Sequence, residues 1–370
     1  MKITFDRDKF LSSFAVAQSV APARSPKQIL QNVKFEATAD GGRFLATDLE
    51  IGVRVKVDGI EVHQPGTTVL PVGRFAQVLR EARDKQLTLE ISGNGAVVKG
   101  ERFKVKLATE SPDEFPAIEE FAEKKFHVIP APLLRSIIQR TAFATDNESS
   151  RYALGGVLME MTDDKIIAVG TDGRRLAKME GPAQAVEGHR TGDQGSIIPT
   201  RALQLIDRAI GDEGDVKVAA RGNDVMVQND RLTLFTRLVE GRFPKWRDVL
   251  PNRPQASRIP LPVGQLLEAV RQAAVVTSDE SRGVDFHFGD GKLRLNANTA
   301  QVGESESSLI IAYDGSELGI TLDPRFLVDF LKVLPGESTI TFEAVDGTGP
   351  AVLTTDDGYS YVIMPLSRDR

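Results

Sequence analysis

The sequence predicts an α+β protein built by repetition, a row of similar units that each lay one helix on one antiparallel sheet. Three observations predict it. Short runs alternate apolar and polar residues, as Ile51, Val53, Val55 and Val57 do, which is the period of a half-buried strand. Stretches with apolar residues at helical spacing follow directly on short apolar runs. The order strand, helix, three strands recurs through the chain, and a pair of units makes a repeat of about 120 residues. An apolar helix stripe needs a sheet face to cover, so each unit is a two-layer solution.

The first unit reads 3–5 as a strand and Asp6 as the cap of a helix over 8–20, with Phe10, Leu11, Phe14 and Ala17 on one face. A loop with prolines at both ends, 21–26, leads to strands at 29–37, 43–47 and 51–57. The second unit has a strand at 68–70 and a helix opened by Pro71, with Phe75, Val78, Leu79 and Ala82 inward. Strands at 87–91, 95–99 and 103–107 follow. The third unit has a strand at 126–129, a helix over 131–144, and strands at 154–161, 166–170 and 175–179. The fourth has a strand at 196–198, a helix opened by Pro199 and Thr200, and strands at 216–219, 225–228 and 232–239. The fifth starts at 257–259 with a helix over 262–275. The sixth starts at 318–321, with Asp323 as helix cap and Pro324 at the first helical position. Runs at 339–344, 351–354 and 361–366 close the chain. Turn-rich stretches at 111–116 and 241–254 separate the repeats, which places domains at 1–122, 123–252 and 253–370.

Composition removes several function classes. The chain has 370 residues, 41% hydrophobic and 26% charged, as ordinary globular proteins have. Without cysteine it has neither disulfides nor thiolate metal sites. His63, His127, His189 and His287 lie far apart with no ligand-like partner at helical spacing, so no metal or other cofactor is expected. The N-terminus is charged and is no signal peptide, and no run approaches the roughly 18 apolar residues of a membrane span. A cytoplasmic protein without a membrane partner is the expectation. Phosphate-binding loops, dinucleotide fingerprints, nucleophile elbows and paired zinc-helix histidines are all missing from the sequence. The acidic pairs Asp163-Asp164 and Asp356-Asp357 sit beside turn formers and read as loop solvation, so no enzyme is expected. The rival to a nucleic-acid protein is a peptide-binding scaffold of the same build.

The net charge of −6 speaks against nucleic acid until the charges are placed. Each helix carries a cation away from its apolar stripe: Lys9, Arg80, Arg83, Arg135, Arg140, Arg201, Arg208, Arg271 and Lys332 are examples, while acids crowd the loops. A helix-lined surface of that kind suits sequence-independent phosphate contact. Helices pack about 10 Å apart, so six around a ring leave a hole of about 9 Å and twelve a hole of about 28 Å, of which only the second admits a duplex about 20 Å wide. One chain cannot enclose a duplex; a head-to-tail pair can.

One stretch departs from the repeat. Thr171-Asp172-Gly173-Arg174-Arg175-Leu176 lies between strand-like runs, and its Asp-Gly predicts a hairpin turn. It matches Thr47-Asp48 in the first repeat and residues 296–298 in the third, which lack the arginine pair. Two arginines there fit either a solvated edge or the polar border of a site.

The hairpin, the segment from Gly241-Arg242-Phe243-Pro244 to Val249-Leu250-Pro251, and the ending Tyr361-Val362-Ile363-Met364-Pro365-Leu366 together resemble the bacterial DNA polymerase III beta-subunit family, the sliding clamps. Thr47 to Glu50 and Ser281 to Val284 support the likeness, which runs end to end at matching length. The resemblance implies a DNA-clamp fold of three similar domains, with antiparallel sheets outside and helices lining a ring. It implies a non-catalytic homodimer that encircles double-stranded DNA of any sequence, in the cytoplasm and on the nucleoid. It also implies the DNA polymerase III alpha subunit, the clamp loader and other proteins with clamp-binding peptides as partners. Carried onto this chain, the peptide pocket would take Arg151, Leu154, Thr171, Gly173, Arg174, Arg175 and Leu176, then Pro244, Val249, Val362, Ile363, Met364, Pro365 and Leu366. Such a cleft would offer apolar walls to a Leu or Phe anchor and arginines to peptide oxygens. For DNA the resemblance adds Arg24 and Tyr152 to the helix-face cations. For the dimer it points to Arg74, Val105 and Leu107 meeting Val275 and Val276, with Glu304 and Glu306 opposite Arg102 and Lys104. Arg174 stands where many relatives have His, Asp248 where a basic residue is common, and Ala153 where some have an aromatic, so peptide preference is expected to differ here.

Overall fold

Six α-helices form at the places the periodicity marks: α1 (Arg7–Gln18), α2 (Val72–Glu81), α3 (Ala131–Thr141), α4 (Thr200–Ala209), α5 (Val263–Ala273) and α6 (Pro324–Leu331). The computed structural model describes residues 1–93, 95–146, 148, 153–192, 194–250, 255–279 and 281–366. Asp6 caps α1 by accepting the N–H groups of Asp8 (3.1 Å) and Lys9 (3.0 Å), and Asp323 caps α6 through the Arg325 N–H (3.0 Å). Prolines 71, 130, 199 and 262 hold the extended residue just ahead of α2 to α5, where the strand ends and the helix turns away. The tails of the long helices expected at 131–144 and 262–275 tighten into 3-10 turns, Ala142–Ala144 and Ala274–Val276.

The strands make four antiparallel sheets, and two of them ignore the domain boundaries. A nine-stranded sheet runs from the first repeat into the second where Ile51–Val57 pairs with Leu232–Arg237. An eight-stranded sheet joins the second to the third where Arg175–Pro182 pairs with Ser360–Ile363. The remaining sheets are shorter and lie at the two ends. A five-stranded one stops at the edge strand Lys104–Ala108, and a four-stranded one stops at Gly303–Ile310. The helices lie in pairs, α1 with α2, α3 with α4 and α5 with α6. Between helices and sheets runs a continuous apolar core. The first repeat fills it with rings, Phe10 touching Phe5, Phe35, Phe44 and Phe75. The second uses Ile129, Leu134, Ile137, Ile138 and Met159 instead. Among the described residues no helix is long and apolar enough to cross a membrane.

Local chemistry moved several expected boundaries. The strand expected at 29–37 starts only at Asn32, because the Asn32 amide donates to the Gln28 (3.1 Å) and Ile29 (3.3 Å) carbonyls and folds Gln28–Gln31 into a 3-10 turn. The one expected at 154–161 starts at Gly156, because the Leu154 and Gly155 carbonyls are turned aside to accept the N–H groups of Asp146 and Thr200. Gly156 itself is required: a Cβ there would lie 2.4 Å from the Ile198 carbonyl oxygen. Two short edge strands, Ile60–Gln64 and Gln184–Val186, carry too little alternation to be seen in sequence. The closing run at 361–366 pairs as a strand only through Ile363.

Candidate functional site

The hairpin is held by two side chains. The Thr171 hydroxyl donates to the Arg175 carbonyl (2.6 Å) and accepts the Gly173 N–H (3.1 Å). One Asp172 carboxylate oxygen accepts the N–H groups of Arg174 (2.9 Å) and Arg175 (3.0 Å). Gly173 sits at φ +87°, which is why glycine serves there. The ladder closes at Thr171 opposite Leu176, so the loop holds Asp172 to Arg175 rather than the tight two-residue turn its Asp-Gly suggests. The first repeat builds the same loop from Thr47, Asp48 and Leu49, the last at φ +80°, between Thr47 and Gly52. In the third repeat the turn lies between Thr299 and Gly303, beyond the expected 296–298, and is one residue shorter.

The predicted cleft residues converge on this hairpin. Its strand places Leu176 on the outer face of the sheet, in a buried cluster with Val362, Val352, Leu158, Phe243 and Trp246. The tail continues past its strand: the Met364 N–H donates to the Arg174 carbonyl (2.9 Å) and the Leu366 N–H to the Thr321 carbonyl (2.9 Å), with Pro365 between. The linker after Val239 runs over the same face. Gly241, at φ +127°, lets it pass against Ala153, whose N–H donates to the Arg242 carbonyl (3.4 Å). Trp246 then pins it, its indole N–H donating to Glu160 (3.2 Å), which also accepts Arg247 (3.0 and 2.5 Å). Leu154 and Ile363 are buried, Pro244 is half-buried, and Val249 and Met364 stay unusually open for their type at 37% and 43% exposure. Arg174 and Asp248 are exposed at the border. Arg151 and Tyr152 lie outside the described residues.

Arg175 departs from its expected place in the pocket. Its side chain is only 10% exposed and points to the helix side of the sheet. There it donates to Asp172 (3.0 Å), Asp329 of α6 (2.7 Å) and the Phe143 carbonyl (2.8 Å). Burial works against the guanidinium charge, but the Tyr361 phenol and the carboxylates of Asp329 and Asp172 raise its pKa above the ordinary arginine value.

The cations expected to meet DNA divide into two groups. Arg24, Arg80, Arg208 and Lys332 are exposed and make no ion pair among the described residues. Arg135 is paired with Asp207 (3.1 Å) and Asp212, Arg201 with Asp48, and Arg140 with Asp357 (2.5 Å) while lying over the Tyr359 ring (5.2 Å). The helix face alone could not show this, because the partner acids come from distant loops.

At the two ends of the row the expected joint residues face outward. Lys104–Ala108 is an open edge with Arg102 and Lys104 exposed and Val105 and Leu107 half-buried. Arg74, Val78, Ala82, Phe103, Val105 and Leu107 line a hollow of about 490 Å³ there. The opposite edge, Gly303–Ile310, exposes Glu304 and Glu306. Beside it Val275 is 76% exposed and Val276 half-buried. Ile310, 81% exposed, was not among the expected joint residues, although an isoleucine among Glu and Ser on an edge strand is the visible signal.

Three sheet-and-helix repeats in one row, with a peptide-sized cleft and open ends, define a clamp-type scaffold. The DNA polymerase III beta-subunit family models match residues 1–119 (N-terminal domain), 128–245 (central domain) and 247–367 (C-terminal domain). The beta sliding clamp of Chlamydia pneumoniae is 30% identical over 367 residues, 99% of either chain, and that of Escherichia coli K12 is 26% identical over 372 residues, 99% of this chain and 100% of the other. The solved sliding clamp of Pseudomonas aeruginosa bound to griselimycin superposes with a TM-score of 0.90 at 26% identity over the full length of both chains. The Bacillus subtilis clamp shares the fold, with a TM-score of 0.91 at 21% identity over 100% of this chain and 99% of that one. The chain belongs to the DNA polymerase III beta-subunit family, the sliding clamps, which are non-catalytic polymerase subunits that act as processivity factors in DNA replication.

Proposed function

We propose that two copies of this chain close head to tail into a ring around duplex DNA of any sequence, and that the hairpin cleft docks its partners. The observation that carries the reading is the pair of unfinished sheets. Five strands ending in a basic edge and four ending in an acidic one would together make nine, the size of the sheet that already spans the first two repeats. Lys104 and Arg102 would face Glu304 and Glu306, and Val275, Val276 and Ile310 would fill the hollow at Val105 and Leu107. Domains at 1–122, 123–252 and 253–370 put each such joint between two domains. Arg24, Arg80, Arg208 and Lys332 supply the DNA contacts, with Arg135, Arg140 and Arg201 held back by their acids. The partners are the polymerase alpha subunit, the clamp loader and other proteins with clamp-binding peptides. Their apolar anchors enter between Leu154, Leu176, Pro244, Val249, Val362 and Met364, and the work is done on the cytoplasmic nucleoid.

Topological tethering makes a prediction that affinity does not. Once loaded on a closed circle, the protein stays bound at about 1 M salt, where the screening length is about 3 Å, and slides off when the circle is cut. Release from intact circles by salt alone would instead identify a peptide-binding scaffold that touches DNA without encircling it.

A further inference from the structure

Arg175 occupies a position at which the hairpin itself has no use for an arginine. The first repeat makes the same loop with Ile51 there, a residue 3% exposed in the core. The arginine therefore serves something the first repeat lacks. Its guanidinium is also nearly saturated: Nε meets Asp172, Nη1 meets Asp329 and Nη2 meets the Phe143 carbonyl. Its faces lie against the Phe143 ring (5.4 Å) and the Phe326 ring (4.6 Å). Little is left with which to hold a peptide. What it does hold are three separate pieces: the hairpin, the turn after α3 that carries Phe143, and α6 of the third repeat. Ile363 of the tail is its ladder partner, and the next tail residue hangs on the Arg174 carbonyl.

We propose that Arg175 is a positioning residue for the cleft, a brace between the hairpin and α6 that sets Gly173, Arg174 and Leu176 and the tail at Met364 in the arrangement a partner peptide meets. The proposal rests on the reading of the hairpin cleft as the peptide site. Asp329 is the informative second member. It projects from α6 toward the same side as Arg175, is half-exposed, and tolerates truncation better than a buried arginine does.

The test measures binding of a fluorescein-labelled peptide with a Leu-Phe anchor and one flanking Asp to the full-length protein, by anisotropy. The variants are Arg175→Met, Asp329→Ala, the double variant, and Val249→Asp in the cleft wall. A brace predicts that each single variant weakens the peptide about tenfold and that the double is no weaker than either single one, a coupling of about 1.4 kcal/mol. Amide exchange should quicken at Gly173 to Leu176 and at Met364 in both single variants. If Arg175→Met weakens the peptide and Asp329→Ala does not, Arg175 touches the peptide itself and the proposal is wrong. If both lower the melting temperature yet bind as the parent does, the brace is structural only and the proposal again fails. If Val249→Asp binds as the parent does, the cleft reading falls and takes the brace with it.

Discussion

The chain contains two joints between repeats, built on the same hairpin, and only one of them opens a cleft. At the first, the ladder residue after the Thr47 loop is Gly52, and Ile118 of the linker lies directly on it, 3.1 Å from where a Cβ would be. Arg54 then ties the linker down, donating to the Ile118 carbonyl (2.9 Å) and pairing with Glu120, which Arg43 also meets (3.2 Å). Phe115 plugs the strip between Leu45 and Val69. At the second joint the Gly52 position holds Leu176, and the matching linker phenylalanine, Phe243, packs beside it with Trp246. The linker is carried off the sheet toward Glu160, and Val249 and Met364 are left open. A second difference is chain ending. The strand across the first joint, Leu232–Arg237, runs on into the linker, whereas Ser360–Ile363 runs out as a free tail along the hairpin. The backbone plan is shared, and side-chain size at one ladder position separates a closed seam from a docking surface.

The largest effect should follow from removing that side chain. Leu176→Ala deletes a side chain 3% exposed in the outer cluster, a change that costs about 2–5 kcal/mol, and takes away the cleft floor. Trp246 is the chain's one tryptophan and sits in that cluster, so its fluorescence during urea unfolding reads the loss directly. Peptide binding should disappear at concentrations where the variant is still folded; a variant that binds normally would mean that the floor is elsewhere. The reciprocal change, Gly52→Leu, forces Ile118 outward and costs about 1–3 kcal/mol as overpacking. It should speed amide exchange along the Ile51–Val57 and Leu232–Arg237 ladder and leave the Trp246 transition in place. A Trp246 shift of equal size would show that the two joints are not independent.

Acid offers a third way to separate them, because both joints share the central repeat and it alone buries a histidine pair. His127 and His189 face each other through Nδ1 (2.6 Å). His127 Nε2–H donates to the Thr162 carbonyl, so its Nδ1 must accept from His189 Nδ1–H, and His189 Nε2 accepts the Ala220 N–H (3.1 Å). Every proton is placed with both rings neutral, and a further one would set N–H against N–H. Burial lowers both pKa values below 6.5, against the smaller upward pulls of the Thr162 and Ala220 backbone groups; Asp163 near His127, and Glu123 and Lys125 near His189, add weaker charges. Below about pH 6.5 the unfolded chain takes protons that the folded one refuses, so stability falls with pH by up to about 1.4 kcal/mol per unit for each ring. Hydrogen exchange from pH 7 to pH 5 should loosen the strands Phe126–Pro130 and Gln184–Val186 first. His189→Asn should flatten the slope; an unchanged slope would move the cause to the carboxylates.

Much of this was legible in the residues. The hairpin loops announce themselves through Thr-Asp, the helix starts through Pro and Asp, and the open edges through Lys and Glu on alternate positions, since each signal is local. The destinations of the arginines were not legible. Arg175 finds Asp329 across 154 residues of sequence and Arg140 finds Asp357 across 217, so helical and strand periodicity mark the face they leave from but say nothing of where they land. The turn misplaced at 296–298 has the same origin: one residue fewer between Thr299 and Gly303 shifts the register, and only the paired strand shows it.

The smallest expected effect tests that division among the cations. Removing one cation that neutralises a duplex phosphate lowers the slope of log affinity against log salt by about 0.9. On a linear duplex too short to hold a ring, Arg208→Ala and Lys332→Ala should each lower the slope by about that much, since both side chains are exposed and without an ion-pair partner among the described residues. Arg140→Ala should leave the slope where it was, because its guanidinium, with a side chain 12% exposed, is held by Asp357 and stacked on Tyr359. Arg201 decides how far the rule extends. Its side chain is 55% exposed while Asp48 is nearly buried, and a pair of that kind contributes about 0–1 kcal/mol, little enough for a phosphate to compete with the carboxylate. A partial fall in slope for Arg201→Ala, smaller than for Arg208→Ala, is therefore the expected result. A full fall would place Arg201 on the DNA and leave the first joint without its hairpin ion pair whenever the duplex is bound.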